Sequence, residues 1–151
     1  MKLSLAWRPD AAVRLAILLL FLMFWGFAGL SKLREGPPTW FLEKFQPTFL
    51  GRFPGATPSF WLLALAETGA MALAAIALLR REFLQPTGGG LGLAMLTGSL
   101  FINLMLGFGL WLTNDFNGGF QQFMYFSGTL LTLQTYARGV LPGSTATGSR
   151  D

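Results

Sequence analysis

The chain has 151 residues, of which 52% are hydrophobic, 15% aromatic and only 12% charged, with a net charge of +4. It is long enough for one compact unit and too apolar for an ordinary soluble domain. It contains neither cysteine nor histidine, which excludes disulfides, thiol relays and the imidazole and thiolate ligands that haem and iron–sulfur centres generally use, so no intrinsic metal or cofactor site is expected.

Three runs carry no charge, Leu15 to Ser31, Thr87 to Asn114 and Phe116 to Ala137, and a fourth, Phe60 to Leu79, is broken only by Glu67. A helix of about 20 apolar residues crosses a hydrocarbon core of about 30 Å. The expected fold class is therefore all-α, an integral membrane four-helix bundle in a single domain over residues 1–140, with helices at about 11–33, 59–80, 89–113 and 118–138 and a polar tail over 141–151.

Lys2, Arg8 and Arg14 precede the first run as they would in a signal peptide. Its apolar length exceeds a usual signal core, and only a weak Gly26-Phe27-Ala28 offers a cleavage site, so a retained anchor is expected. The connection over residues 34–58 is too long for a plain turn. Within it Trp40, Phe41, Phe45, Phe49 and Phe53 recur roughly every four residues, with Glu43, Lys44 and Gln46 as a polar side. That pattern predicts an interfacial amphipathic segment lying on the outer surface or capping the bundle. Ser59 is the expected N-cap of the second helix, which stops at Arg80-Arg81-Glu82. Gly88-Gly89-Gly90 lacks the Lys-Ser/Thr ending of a P-loop and follows a membrane helix, so it reads as a flexible turn. Thr113 to Gly119 makes a short outer turn before the last helix.

In a four-span arrangement Lys2, Arg8, Arg14, Arg80, Arg81, Arg138 and Arg150 fall on one side and Lys32, Arg34, Lys44 and Arg52 on the other. This surplus puts both termini in the cytoplasm by the positive-inside rule. Nucleic acid is not an expected partner, because no basic run interleaves with aromatics as a stacking groove requires.

At 100° per residue Glu67 shares a face with Ala64, Ala70, Ala74 and Ala77, opposite Leu62, Leu65, Leu73 and Ile76. Small residues admit neighbouring helices, so Glu67 is expected to point inward. Parallel stripes are Gly92, Ser99, Asn103 and Gly107 in the third helix and Gln121, Tyr125, Gly128 and Thr132 in the fourth. Glu67 lies about 10 to 12 Å below the outer end of its helix, a depth nearly shared by Asn103 and Tyr125. Lys32, on the face of Trp25 and Gly29, can bend toward it. An unpaired ionised carboxylate at that depth costs about 2.5 to 3.5 kcal/mol. Glu67 should then be protonated, paired with Lys32, or hydrogen-bonded to Asn103 and Tyr125. The candidate site is Glu67, for proton exchange, with Lys32, Asn103, Gln121, Tyr125 and Trp25 around a ligand. The bland alternatives are equally physical: Glu67, Asn103 and Gln121 as helix-bridging groups, Lys32 as an interfacial anchor.

A first helix ending in Phe27-Ala28-Gly29-Leu30-Ser31-Lys32-Leu33, a long outer connection, a helix carrying Leu65-Ala66-Glu67-Thr68-Gly69 up to a basic turn, and Asn117-Gly118-Gly119 before the last helix together resemble the DoxX family of small bacterial membrane proteins. The order of elements fits from about Arg14 to Arg138. Many members carry an acidic residue after the Asn-Gly-Gly turn, where this chain has Gln121 and Gln122. Some have a histidine near the third helix, which is absent here. The resemblance implies a multi-pass protein of the bacterial cytoplasmic membrane, a redox-associated subunit or assembly partner in a membrane complex, in contact with quinone, as in the small subunit of thiosulfate:quinone oxidoreductase. A non-catalytic subunit fits better than a stand-alone enzyme. The alternatives are a structural scaffold without a ligand and, third, a small-solute transporter, which the absence of a broken span or repeat disfavours.

Overall fold

The computed structural model describes residues 9–85 and 88–138. Lys2, Arg8, Arg150 and the polar tail lie outside them. Helix α1, Pro9–Glu35, opens with proline and an acidic first turn and closes with Lys32 and Arg34 in its last turn, as the helix dipole favours. Gly36, at φ +70°, ends it: its N–H donates to the Lys32 carbonyl at 2.9 Å from a left-handed conformation that suits glycine. The connection then forms the short helix α2, Thr39–Phe45, and a 3-10 turn at Phe49–Gly51.

Helix α3 runs over Ala56–Leu79 and starts three residues before the expected position. Pro58 lies in its first turn, where a missing N–H costs nothing. Ser59 is not a cap: its Oγ donates back to the Gly55 carbonyl at 2.9 Å. A second 3-10 turn at Glu82–Leu84 leads toward α4, Gly90–Leu112, and α5 spans Phe116–Arg138. The Asp115 carboxylate accepts the Gly118 N–H at 3.0 Å and so caps α5.

The fold is all-α. Helix α1 packs on α3, α3 on α4 and α4 on α5, whereas α1 and α5 touch only thinly. The core lies between α1, α3 and α4, around Trp25, Leu18, Met95, Leu96 and the alanine stripe Ala64, Ala70, Ala74 and Ala77, all buried. Leu62, Leu65, Phe101 and Leu104 face outward, an inversion of the soluble pattern that suits lipid. Among the described residues three helices, α1, α3 and α4, are long and apolar enough to cross a membrane, which makes the chain a multi-pass membrane protein. Helix α5 matches α4 in length, at 23 residues each, and runs antiparallel to it. Gly119 lies against Trp111 at one end of the pair and Tyr136 against Gly92 at the other.

Candidate functional site

The site begins where α1 crosses α3. A Cβ on Gly29 would lie 2.7 Å from Thr68 Oγ1 and 2.9 Å from the Thr68 backbone nitrogen, so only glycine allows this approach. One turn further on, Lys32 Nζ donates to both carboxylate oxygens of Glu67, at 2.9 and 2.8 Å, and more weakly to the Ala28 carbonyl at 3.4 Å. Glu67 is 1% exposed and Lys32 24%. The inward alanine face of α3 is as expected, but because the helix starts at Ala56, Glu67 stands about 16 Å along it, close to its middle. A carboxylate there needs a partner, and it has one.

The other expected members pair elsewhere. Trp25 Nε1 donates to Ser99 Oγ at 2.7 Å and joins α1 to α4. Asn103 Nδ2 donates to Thr129 Oγ1 at 3.2 Å and joins α4 to α5. Thr129 Oγ1 in turn donates to the Tyr125 carbonyl at 2.8 Å. Of the alternatives expected for Glu67, the pairing with Lys32 is the one present, and Asn103 and Tyr125 make their hydrogen bonds elsewhere. Gln121 and Tyr125 point away from the bundle: Gln121 is exposed, and Tyr125 is 48% exposed against the edge of Phe24. The face of α5 that is buried carries Gly119, Thr129 and Tyr136 instead. Their fit under Trp111 and Gly92 sets the rotation of the helix. A wheel with apolar residues on every side does not reveal it.

Beneath α2 lies a cavity of about 750 Å³, walled among others by Lys32, Phe41, Phe45, Phe60, Leu106 and Gln122. Lys32 is in its wall; Glu67, Trp25, Asn103 and Tyr125 are not. Helix α2 forms the roof. Phe41 meets Phe60 edge-on with centroids 5.2 Å apart, and the Phe45 ring sits 3.2 Å from where Gly109 would carry a Cβ. Lys44 Nζ reaches Asp115 Oδ2 at 3.1 Å. The Gly118 N–H, and after it the Lys44 ammonium, hold the Asp115 carboxyl below the usual carboxylate range. The capping segment was legible in the sequence. Its clamp, and the lining residue Gln122, were not, because both depend on how α4 and α5 rotate.

A second polar cluster occupies the opposite end. The Glu82 carboxylate, 5% exposed, accepts the N–H groups of Leu91 and Gly92 at 3.3 and 3.0 Å, at the positive end of α4. Arg14, 3% exposed, donates to the Tyr136 carbonyl at 3.2 Å and to the Gln85 carbonyl. A side chain on Gly88 would overlap Tyr136, and one on Gly89 would overlap Glu82. Gly88 and Gly89 are thus closely packed, contrary to the flexible turn expected from composition.

Comparison with family models, curated proteins and solved structures gives no match.

Proposed function

We propose that the chain is a DoxX-like protein of the bacterial cytoplasmic membrane that crosses the bilayer four times, with both termini in the cytoplasm. In this reading it serves as a redox-associated subunit or assembly partner of a membrane complex and seats a quinone beneath α2. The antiparallel course of α5 along the whole of α4 supports the fourth crossing. The surplus of arginine and lysine at the Arg14 end supports the orientation.

The observation that carries the quinone reading is the cavity itself. Its volume of about 750 Å³ is that of a small-molecule site, and its wall is mainly aromatic and aliphatic, with the ammonium groups of Lys32 and Lys44 and the carboxylate of Glu35 in it. Its two lysines are already neutralised, Lys32 by Glu67 and Lys44 by Asp115, and the other ionisable side chain of the wall, Glu35, is an acid, so the wall offers no spare cation to an anionic ligand. Such a site suits a neutral, hydrophobic molecule bearing a hydrogen-bond acceptor, and a quinone ring has those properties. The third Lys32 proton, held only by the long contact to Ala28 at 3.4 Å, is free to turn to a ligand carbonyl. Glu67 acts one step removed: it orients Lys32 and balances its charge, so proton exchange with the ligand runs through Lys32. The quinone, when bound, supplies the two-electron redox chemistry. A partner protein supplies the electrons, since the chain has no thiol or imidazole of its own.

The test is a titration of a short-chain ubiquinone analogue, read as a thermal shift of the detergent-solubilised protein, alongside quinone analysis of protein purified from native membranes. Quinone should co-purify, and the double variant Lys32→Met with Glu67→Leu should bind the analogue about tenfold more weakly, the worth of one charge-assisted hydrogen bond. No quinone in the preparation and no shift on titration would overturn the reading. A scaffold role is the second reading. It is favoured by the way each polar pair, Lys32–Glu67, Trp25–Ser99 and Asn103–Thr129, joins two different helices.

A further inference from the structure

Among the described residues, one flank of α5 is polar and uncovered. Gln121, Tyr125, Gly128 and Thr132 follow one another at intervals of four, three and four residues. Gln121, Tyr125 and Gly128 are exposed, Thr132 is half-buried, and a Cβ placed on Gly128 would meet no atom within 4 Å. The flank borders the thin seam between α1 and α5, where Phe24 and Tyr125 approach. Helix α5 also falls short of the apolar content of α1, α3 and α4, although it runs the full length of α4. An amide and a phenol turned to lipid tails forgo hydrogen bonds that a neighbouring helix would supply.

We infer that this flank is the interface between two copies of the chain, α5 against α5 in parallel, about a twofold axis along the membrane normal. The inference rests on α5 lying in the bilayer. Copies in one membrane share an orientation, so each polar residue meets its twin at the same depth. The stripe carries no charge, and its amide, phenol and hydroxyl groups both donate and accept, so pairing with itself satisfies them. Thr132 Oγ1 donates to its own Gly128 carbonyl at 2.8 Å and keeps its lone pairs for the partner. The four-three-four spacing is that of a seam between helices crossing at a small angle, and Gly128 lets the two backbones close in.

The chain contains no cysteine, so single-cysteine variants report without background. In oxidised native membranes, Gln121→Cys, Tyr125→Cys, Gly128→Cys and Thr132→Cys should form disulfide dimers at least about fivefold more than Phe123→Cys and Leu130→Cys on the opposite flank, because the bond closes only at Cβ separations of about 3.5 to 4.5 Å. Gly128→Leu fills empty space within its own chain. It should leave the thermal midpoint of the detergent-dissociated monomer unchanged while reducing the Gln121→Cys dimer in membranes by a similar factor. Fast labelling of Gly128→Cys by a water-soluble maleimide in sealed vesicles would overturn the bilayer placement of α5 and the interface with it. Slow labelling without stripe-specific dimers, or with cross-links only to other proteins, would overturn the interface and leave the quinone reading intact.

Discussion

The bundle buries two acidic side chains, Glu82 at one end and Glu67 near the middle of α3, and satisfies them differently. At the Arg14 end, Glu82 is held by two backbone N–H groups at the start of α4, and glycines close the space around it. Near the Lys32 end, Glu67 is held by one flexible ammonium beside a cavity. Backbone donors are fixed in place, so the first arrangement is a lock with no room for a ligand. A lysine can rotate, so the second can exchange part of its hydrogen bonding with whatever enters. A buried acid alone therefore does not mark a site; the mobility of its partner and the neighbouring empty volume distinguish the two.

This contrast can be broken at either acid. The largest effect is expected at the lock. Gly92→Val drives a side chain into the Tyr136 hydroxyl, and overpacking of this kind costs about 3 kcal/mol, occasionally more. Thermal unfolding followed by size-exclusion chromatography should show little folded protein. Gly98→Val, where no atom lies within 4 Å of the added Cβ, should be nearly silent by the same assay.

Next in size is the ion pair. Glu67→Leu alone strands the Lys32 ammonium and should destabilise by about 2 to 4 kcal/mol, less than a fully buried pair because Lys32 is 24% exposed. Lys32→Met combined with Glu67→Leu should recover most of that loss, since an apolar pair replaces a charged one in an apolar setting. A thermodynamic cycle over the two single variants and the double variant measures the coupling; strict additivity would mean that the pair contributes nothing as a pair.

The smallest effect belongs to the roof of the cavity. Asp115 has a folded value below the ordinary 3.8, so its contribution is complete above that pH and is lost as pH falls through the lower folded value. Spin labels on α2 and the α4–α5 turn should report a widening distance below that pH. Asp115→Asn, which retains the cap to Gly118 but loses the charge, should abolish the pH response while leaving the helices intact.

Much of this was legible in the residues. Charge-free runs gave the helices to within a few positions, because hydropathy over 20 residues is a strong signal in lipid. Ala64, Ala70, Ala74 and Ala77 placed Glu67 inward, since small residues mark a helix contact wherever large ones abound. Gln121 and Tyr125 lie on the other side from that expected, because a polar stripe does not itself say which neighbour it faces, and it is Gly119, Thr129 and Tyr136 that the bundle covers. The turn at Gly88 and Gly89 misled because glycine signals both freedom and close packing, and composition does not separate them.

The sequence by itself determined a membrane-embedded, all-helical chain with one carboxylate within reach of one lysine, because the cost of exposing charge and backbone to lipid leaves few alternatives. Only the tertiary structure decided which faces meet, that Lys32 and not Glu67 lines the cavity, and that α5 turns its amide and phenol outward. Those outcomes depend on steric fit at single points, Gly29 on Thr68, Gly119 on Trp111 and Gly92 on Tyr136, each between two different helices. Periodicity within one helix carries no information about the rotation of the next.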